Sequence, residues 1–526
     1  MPSATHTTLP ADSNQALGIA NYAIDFMATA QPDAAVLQRT NLFHTDACLC
    51  GTSAIALGTN APTVLREEAA QYAAVGSGVP WAKGAVRAGV PVYGSTQDVA
   101  VEKAIVANCA AVREWDSNGT NFGFNPQLGH TAGEFGHNDF YPVAVAAAQL
   151  AGKDGAFALR GMVLIDEIRG RLAEVFSLKT YKIDHVVHGA IGSVAAFGAM
   201  MGATPAQIES AIGMVVAHYI PFRAIRAGKQ LSDSKGSSAA ITTEAAILAM
   251  KRSMAGFMGP QDIIRNREAI FCFFKPETPK GKSPFDLVLA TSGSDFAVMG
   301  MHFKLGLYEH QSAGALQGLI DLLRANRQLI ENGGEKIAKM LVRAYQPAFG
   351  IIGDPAKRDP KTRQSADHSM LYLVCTMLRK AIELKGAGLK EGNDAAWKAL
   401  MLMPEDFTQA AINHPLTRKL MEKMTFEHGG PEYDKAYPDG IPTSIVITDS
   451  NGKVADSGRI MYPSGHARNT TASLSDILNH KFELMGRLTS SDAKPIVARL
   501  SNLESKTAKD IASLYDFAIV RRGSFD

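Results

Sequence analysis

Five short runs of this 526-residue chain gather side chains able to move protons or hold anions. The first is Arg113-Glu-Trp-Asp116-Ser-Asn-Gly-Thr120, followed by a Gly- and Asn-containing loop that ends Gly136-His137-Asn-Asp139. Histidine titrates near neutrality and serves as acid or base. A polar loop bearing His137 and Asp116 between helical stretches is therefore a candidate site, with a solvated loop and a bystander histidine as the plain alternative. His130 and His137 match no standard zinc spacing. The second run is Asp184-His185-Val-Val-His188, ahead of a small-residue helix. A helix N-terminus favours anions and lowers the pKa of a nearby histidine, or Asp184 simply caps the helix. The third holds Arg223, Arg226, Lys229 and Lys235 with one acid, Asp233, a local charge of +3 in a chain of net +2. If helical, Arg223 and Arg226 share a face. Guanidinium forks suit carboxylates or phosphates, and a solvated basic loop is the alternative. The fourth, His302-Phe-Lys304 through His310, and the fifth, Tyr462-Pro-Ser-Gly-His466-Ala-Arg468, fall near an expected domain boundary, where clefts form. Each could also be a surface loop. Neither GxxxxGK[ST] nor a convincing GxGxxG after a strand is present.

The elements around these runs divide the chain. Residues 16–59 read as two helices, Ala16 to Ala30 and Ala34 to Leu57. Ala, Gly and Ser recur through 142–152, 189–203 and 236–250, as closely packed helices require. Thr204-Pro205 has the form of a capped helix start. After about residue 296 the texture changes. Residues 339–345 have the content of a strand, and 443–448, 449–452 and 453–461 read as strand, turn and strand. Helices are expected at 313–331 and 368–385, a polar loop at 355–366, and helix again over 472–518. The expected fold is mainly α: a large all-helical domain, residues 1–296 and 469–526, with a second, smaller α+β domain, residues 297–468.

Composition bounds the function. Hydrophobic residues are 46% and charged residues 20%, an ordinary globular balance that excludes a disordered chain. Lys plus Arg is 53 against 51 Asp plus Glu, so there is no global field for nucleic acid. The five cysteines are odd in number and sparse, which points to a reduced compartment, and Cys48-Leu-Cys50 reads as two small apolar residues in a helix. The N-terminus is polar, and the longest apolar stretch, near 190–203, is too short to span a bilayer. A cytoplasmic protein without a membrane partner is expected.

Taken together, the runs resemble the MmgE/PrpD family, most closely its 2-methylcitrate dehydratases, over most of the chain. His44-Thr-Asp46-Ala-Cys48-Leu-Cys50-Gly51 is similar to the family's LLDTLGC-type segment. Arg113 to Thr120 is similar to R-x-L-D-F-x-D-T, Gly136-His137 to the start of GHPSD, and Asp184-His185-Val-Val to DHVV. Arg223-Ala-Ile-Arg226 resembles RTYR, Ser234-Lys235-Gly236 the WKG or RKS lysine, and Tyr462 to Arg468 the YPIGHAR segment. The chain departs from the pattern at Gly119, where the family has a second Asp, at Asn121 for its Trp, at Asn138 and Asp139 for Pro and Ser, and at Tyr308 in the K-x-x-F-P segment. The resemblance implies a homodimer with its site between the domains, and a lyase with no metal or other cofactor. It implies dehydration of a tricarboxylic 2-hydroxy acid, 2-methylcitrate foremost. On that reading His137 and His185 supply the base and the acid, and Asp116 orients a histidine or accepts a substrate hydroxyl. Lys235 and Lys304 join Arg223 and Arg226 in facing the growing carboxylate charge. Thr120, His310, His466 and Arg468 bind substrate. A cis-aconitate decarboxylase, an amino-dicarboxylate epimerase, or a non-catalytic carboxylate-binding relative remain open alternatives.

Overall fold

The computed structural model describes residues 5–134, 136–226, 230–353 and 355–525. The fold is mainly α, with 21 α-helices among the described residues, one four-stranded and one three-stranded sheet, and two short β pairs. Helix Val101–Glu114 packs on both Ala34–Ala56 and Asp233–Met254, and Gly155–Val175 lies along Val186–Met200. The small residues make this closeness physically possible: a Cβ on Gly192 would fall 3.0 Å from the Ile165 carbonyl oxygen. Thr204 opens the helix Pro205–His218 as expected. Its hydroxyl accepts the Gln207 N–H at 3.3 Å and the Gln207 side chain accepts the Thr204 N–H at 2.9 Å, which closes a capping box.

The N-terminal half is not all-helical. Thr5–Leu9 pairs antiparallel with Leu287–Gly293, and Gln31–Pro32 adds in parallel on the other edge. Four of the five residues in Thr5–Leu9 are polar, so the strand carries no apolar alternation. Its pairing with a distant segment is what makes it a strand.

The four-stranded sheet runs in the order Val454–Asp456, Thr443–Asp449, Ile337–Ala344, Met424–His428. Its centre is antiparallel, with Ile445 opposite Val342, and its last pair is parallel, with Met340 opposite Met424. The hairpin arm expected over 453–461 is only three residues long. The Asp456 carboxylate accepts the Gly458 N–H at 2.8 Å and Gly458 sits at φ +68°, a turn that favours glycine. Helix Ala313–Ala325 covers the sheet, with Gly314 and Gly318 against Thr443 and Ile445.

The chain then returns to its beginning. Helix Leu474–Thr489 packs on Ala34–Ala56. Its Lys481 is fully buried and reaches Asp46 at 2.7 Å, the Ser117 carbonyl at 2.8 Å and the Lys304 carbonyl at 2.9 Å. Cys48 and Cys50 lie buried in Ala34–Ala56, where burial pushes both thiols up to about 12. They are core residues. Among the described residues no single helix is long and apolar enough to cross a membrane.

Candidate active site

Asp116 is the hub of the site. It follows the end of Val101–Glu114 and is fully buried. Its Oδ1 meets Arg113 at 2.9 Å and the Lys304 ammonium in close contact. Its Oδ2 meets Lys235 at 3.5 Å and Nδ1 of His368 at 3.1 Å. Burial would raise the Asp116 carboxyl, but Arg113, Lys304, Lys235 and His368 together hold it well below the usual carboxylate range. Lys235 stands in the first turn of Asp233–Met254 and also pairs with Asp367 at 3.2 Å. Burial pushes its ammonium down to about 8, although Asp367 and Asp116 pull the other way. Burial lowers Lys304 too, with Asp116 opposing.

His137 faces this cluster. A two-residue β pair, Thr120–Asn121 with Gly136–His137, places Thr120 opposite His137. Nε2 of His137 lies 3.1 Å from Arg113 Nη2, and Nδ1 lies 3.4 Å from Lys304 Nζ. Burial, then Arg113 and Lys304, hold this imidazole well below its ordinary pKa, which favours its neutral form. The hydroxyl proton of Thr120 goes to the Gly136 carbonyl at 2.7 Å, which fastens the pair and leaves the oxygen lone pairs open.

A second arm joins at His185, whose ring centroid is 5.6 Å from that of His137. His185 opens the helix Val186–Met200. Its Nδ1 lies 3.4 Å from Asp184, which Arg226 grips through Nε and Nη2. Burial lowers His185 most, ahead of the nearby arginines. Asp184 also accepts the Val186 N–H at 3.3 Å, from one residue before the N-cap position, which His185 holds. Arg223 and Arg226 share a short 3-10 turn. Lys229 lies outside the described residues.

The remaining candidates line or adjoin a cavity of about 120 Å³ walled by Asn121, Phe124, His302, Asp439, His466 and Arg468. The rings of His466 and His302 are 4.0 Å apart, and His302 stacks on His310 at 5.1 Å. His310 is buried with neither ring nitrogen hydrogen-bonded among the described residues, and Lys304 and Asp116 both act on it electrostatically. It thus links the cavity to the Asp116 cluster. Arg468 pairs with Asp439 and covers the Phe124 ring at 5.1 Å.

Asp116, His137, His185, Lys235 and Lys304 therefore come together, while His466 and Arg468 stand across the imidazole stack from them. Sequence reasoning passed over Asp367 and His368, and it named Arg113 and His302 within their runs without giving either a role. His130 pairs with Glu174 at 2.9 Å, apart from His137. Asp116, Asp367 and His368 present a possible metal-ligand set among the described residues. Yet the Lys235 ammonium already lies between the two carboxylates, and Arg113 and Lys304 crowd the same Asp116. This donor set fits a divalent cation poorly. Of the residues at departures from the family pattern, Asn121 accepts from Arg169 at 3.0 Å and Asp139 lies 3.6 Å from Arg113.

A mainly helical chain that buries a carboxylate among three cations, against neutral imidazoles and beside a histidine-walled cavity, has the make-up for acid–base chemistry on an anion. The chain belongs to the MmgE/PrpD family. Residues 18–280 match the MmgE/PrpD N-terminal domain and residues 396–501 the MmgE/PrpD C-terminal domain. The chain is 25% identical over 362 residues to a protein of Yarrowia lipolytica (strain CLIB 122 / E 150) named 2-methylcitrate dehydratase, mitochondrial. That alignment covers 65% of this chain and 61% of the relative, so the chain spans about three fifths of the relative's length.

Proposed function

We propose that this chain is a hydro-lyase that dehydrates a tricarboxylic 2-hydroxy acid, 2-methylcitrate to 2-methyl-cis-aconitate, without a metal. The observation that carries the reading is the neutral His137 ring with Arg113 at one nitrogen and Lys304 at the other, above the shared Asp116. Dehydration removes a proton beside a carboxylate and expels hydroxide as water. Negative charge grows on that carboxylate, and fixed cations in a buried site stabilise it strongly. Lys235, Lys304 and Arg113 are placed for this. His137 and His185 divide base and acid between them. Burial lowers the pKa of both rings, which favours the proton-accepting form that the base needs, and the ring that acts as acid must carry its proton when substrate is bound. Family membership and the name of the Yarrowia relative support the same class of reaction. The reading includes a homodimer in the cytoplasm, and light scattering at twice the chain mass tests the dimer.

The decisive experiment is ultraviolet absorbance on mixing chelator-treated protein with 2-methylcitrate, and with citrate in parallel. The conjugated product absorbs where the substrate does not. We expect a faster rise with 2-methylcitrate, undiminished by the chelator. No rise with either acid removes the reading. Activity lost to the chelator and restored by a metal removes its metal-free clause.

A further inference from the structure

The cavity beside the Asp116 cluster has two imidazoles on its wall whose tautomers are fixed by the backbone. The Ala467 N–H donates to Nδ1 of His302 at 2.9 Å, and the Arg468 N–H donates to Nδ1 of His466 at 3.1 Å. A ring nitrogen that accepts a backbone N–H cannot itself carry a proton, so in each ring the proton is on Nε2. Both side chains are more than nine-tenths buried. Nε2 of His466 has no hydrogen-bond partner among the described residues, and a buried donor without an acceptor is a destabilising arrangement that a bound acceptor relieves. Arg468, on the same wall, adds only donors.

The two acids on the wall are already engaged. Glu174 pairs with Arg171 and His130, and Asp439 takes Arg468 and the Tyr462 hydroxyl. The imidazole and guanidinium side of the wall thus offers hydrogen-bond donors, and an acceptor-only group matches them.

We propose that His302 and His466, held as Nε2–H donors by the Ala467 and Arg468 amides, form with Arg468 a carboxylate-binding subsite separate from the cation cluster at Asp116. It rests on the reading above that the site takes a carboxylic acid, and it assigns one carboxylate of that acid to this wall. The remaining carboxylates and the reacting carbon then lie toward His310 and Lys304. The sequence places His302 two residues from Lys304, so one extended segment serves both subsites.

Calorimetric titration of 2-methylcitrate, citrate and succinate into the full chain tests the subsite, with wild type against His302→Phe and His302→Gln. Phenylalanine keeps a ring and loses the donor, whereas glutamine restores an N–H near the place of Nε2. Loss of a hydrogen bond to a charged group predicts weaker binding by about tenfold or more for His302→Phe, and affinity within about threefold of wild type for His302→Gln. Equal affinity of His302→Phe and wild type overturns the subsite, whatever the dehydratase activity. A chain that shows the expected pattern yet dehydrates nothing keeps the subsite and ends the dehydratase reading. A wild type that binds none of the three acids ends both. Should His302→Phe not fold, nitrogen-15 spectra of histidine-labelled wild type decide: Nε2–H in both rings supports the subsite, and Nδ1–H in either overturns it.

Discussion

Asp116 meets three cations, two of them shared with Asp367 and Asp139, and an anionic substrate would be drawn to the Lys235 and Lys304 ammoniums among them. Lys235 sets the pH range of that attraction. Its ammonium, pushed down to about 8 by burial, loses its proton as pH rises through that value, and with it the charge that faces the substrate. We expect kcat/KM to fall above about pH 8, and Lys235→Arg, whose guanidinium stays charged, to move that falling limb upward. A pH–rate profile of both proteins checks it. His137→Ala removes a ring held between Arg113 and Lys304, and should lower kcat by about a hundredfold or more if the ring transfers a proton. Stopped assays with a matched melting curve check that. Asp116, His137, Lys235 and Lys304 stand out in the sequence and meet in space. Arg113 stands in the same run, but an arginine three residues before an aspartate is an ordinary surface pair on a helix, and only burial marks it out. Asp367 is 132 residues from Lys235, and no local spacing joins them. His302 hides for the same reason: its meaning comes from the Ala467 amide.

At the scale of elements, the site depends on a loop that is fastened at both ends. The pair Thr120–Asn121 with Gly136–His137 closes the base of the Gly-rich stretch between them. Its returning arm is tied down where the Gly133 carbonyl accepts from Lys179 Nζ at 2.7 Å and from the Tyr437 hydroxyl at 3.1 Å. Gly119, just before the pair, explains one departure from the family pattern. A Cβ there would fall 2.4 Å from Phe43, and Phe43 is itself stacked on Phe303 at 3.8 Å. Gly119→Asp, which restores the family residue, should therefore destabilise the chain by about 1–3 kcal/mol through overpacking, with no gain in activity. Urea unfolding and the absorbance assay check both halves. The helices were legible because their small residues and caps are local signals. The strand Thr5–Leu9 was not, since its partner lies far along the chain at Leu287–Gly293. The β pair that presents His137 is two residues long, below what periodicity can reveal.

At the scale of the whole molecule, Lys481 ties three parts of the chain to one ammonium: Asp46 in the helix Ala34–Ala56, Ser117 beside Asp116, and the backbone of Lys304. Lys481→Met removes the counter-charge of a buried carboxylate and the donor to two carbonyls. A loss of about 3–5 kcal/mol is expected, together with a lower kcat, since Lys304 loses its anchor. Denaturant titration and kinetics on the same preparation check this. The mainly α fold was legible from texture, whereas this closure was not, because a lysine in an amphipathic helix reads as surface. The closure also bears on how each copy is born. A ribosome adds about 5–20 residues per second, so roughly 20 to 90 s pass between the synthesis of Asp46 and that of Lys481. Through that interval Asp46 lacks the ammonium that meets it in the folded chain. A nascent chain halted short of Lys481 would thus be left open at its centre, inactive and exposed to the cell's quality control.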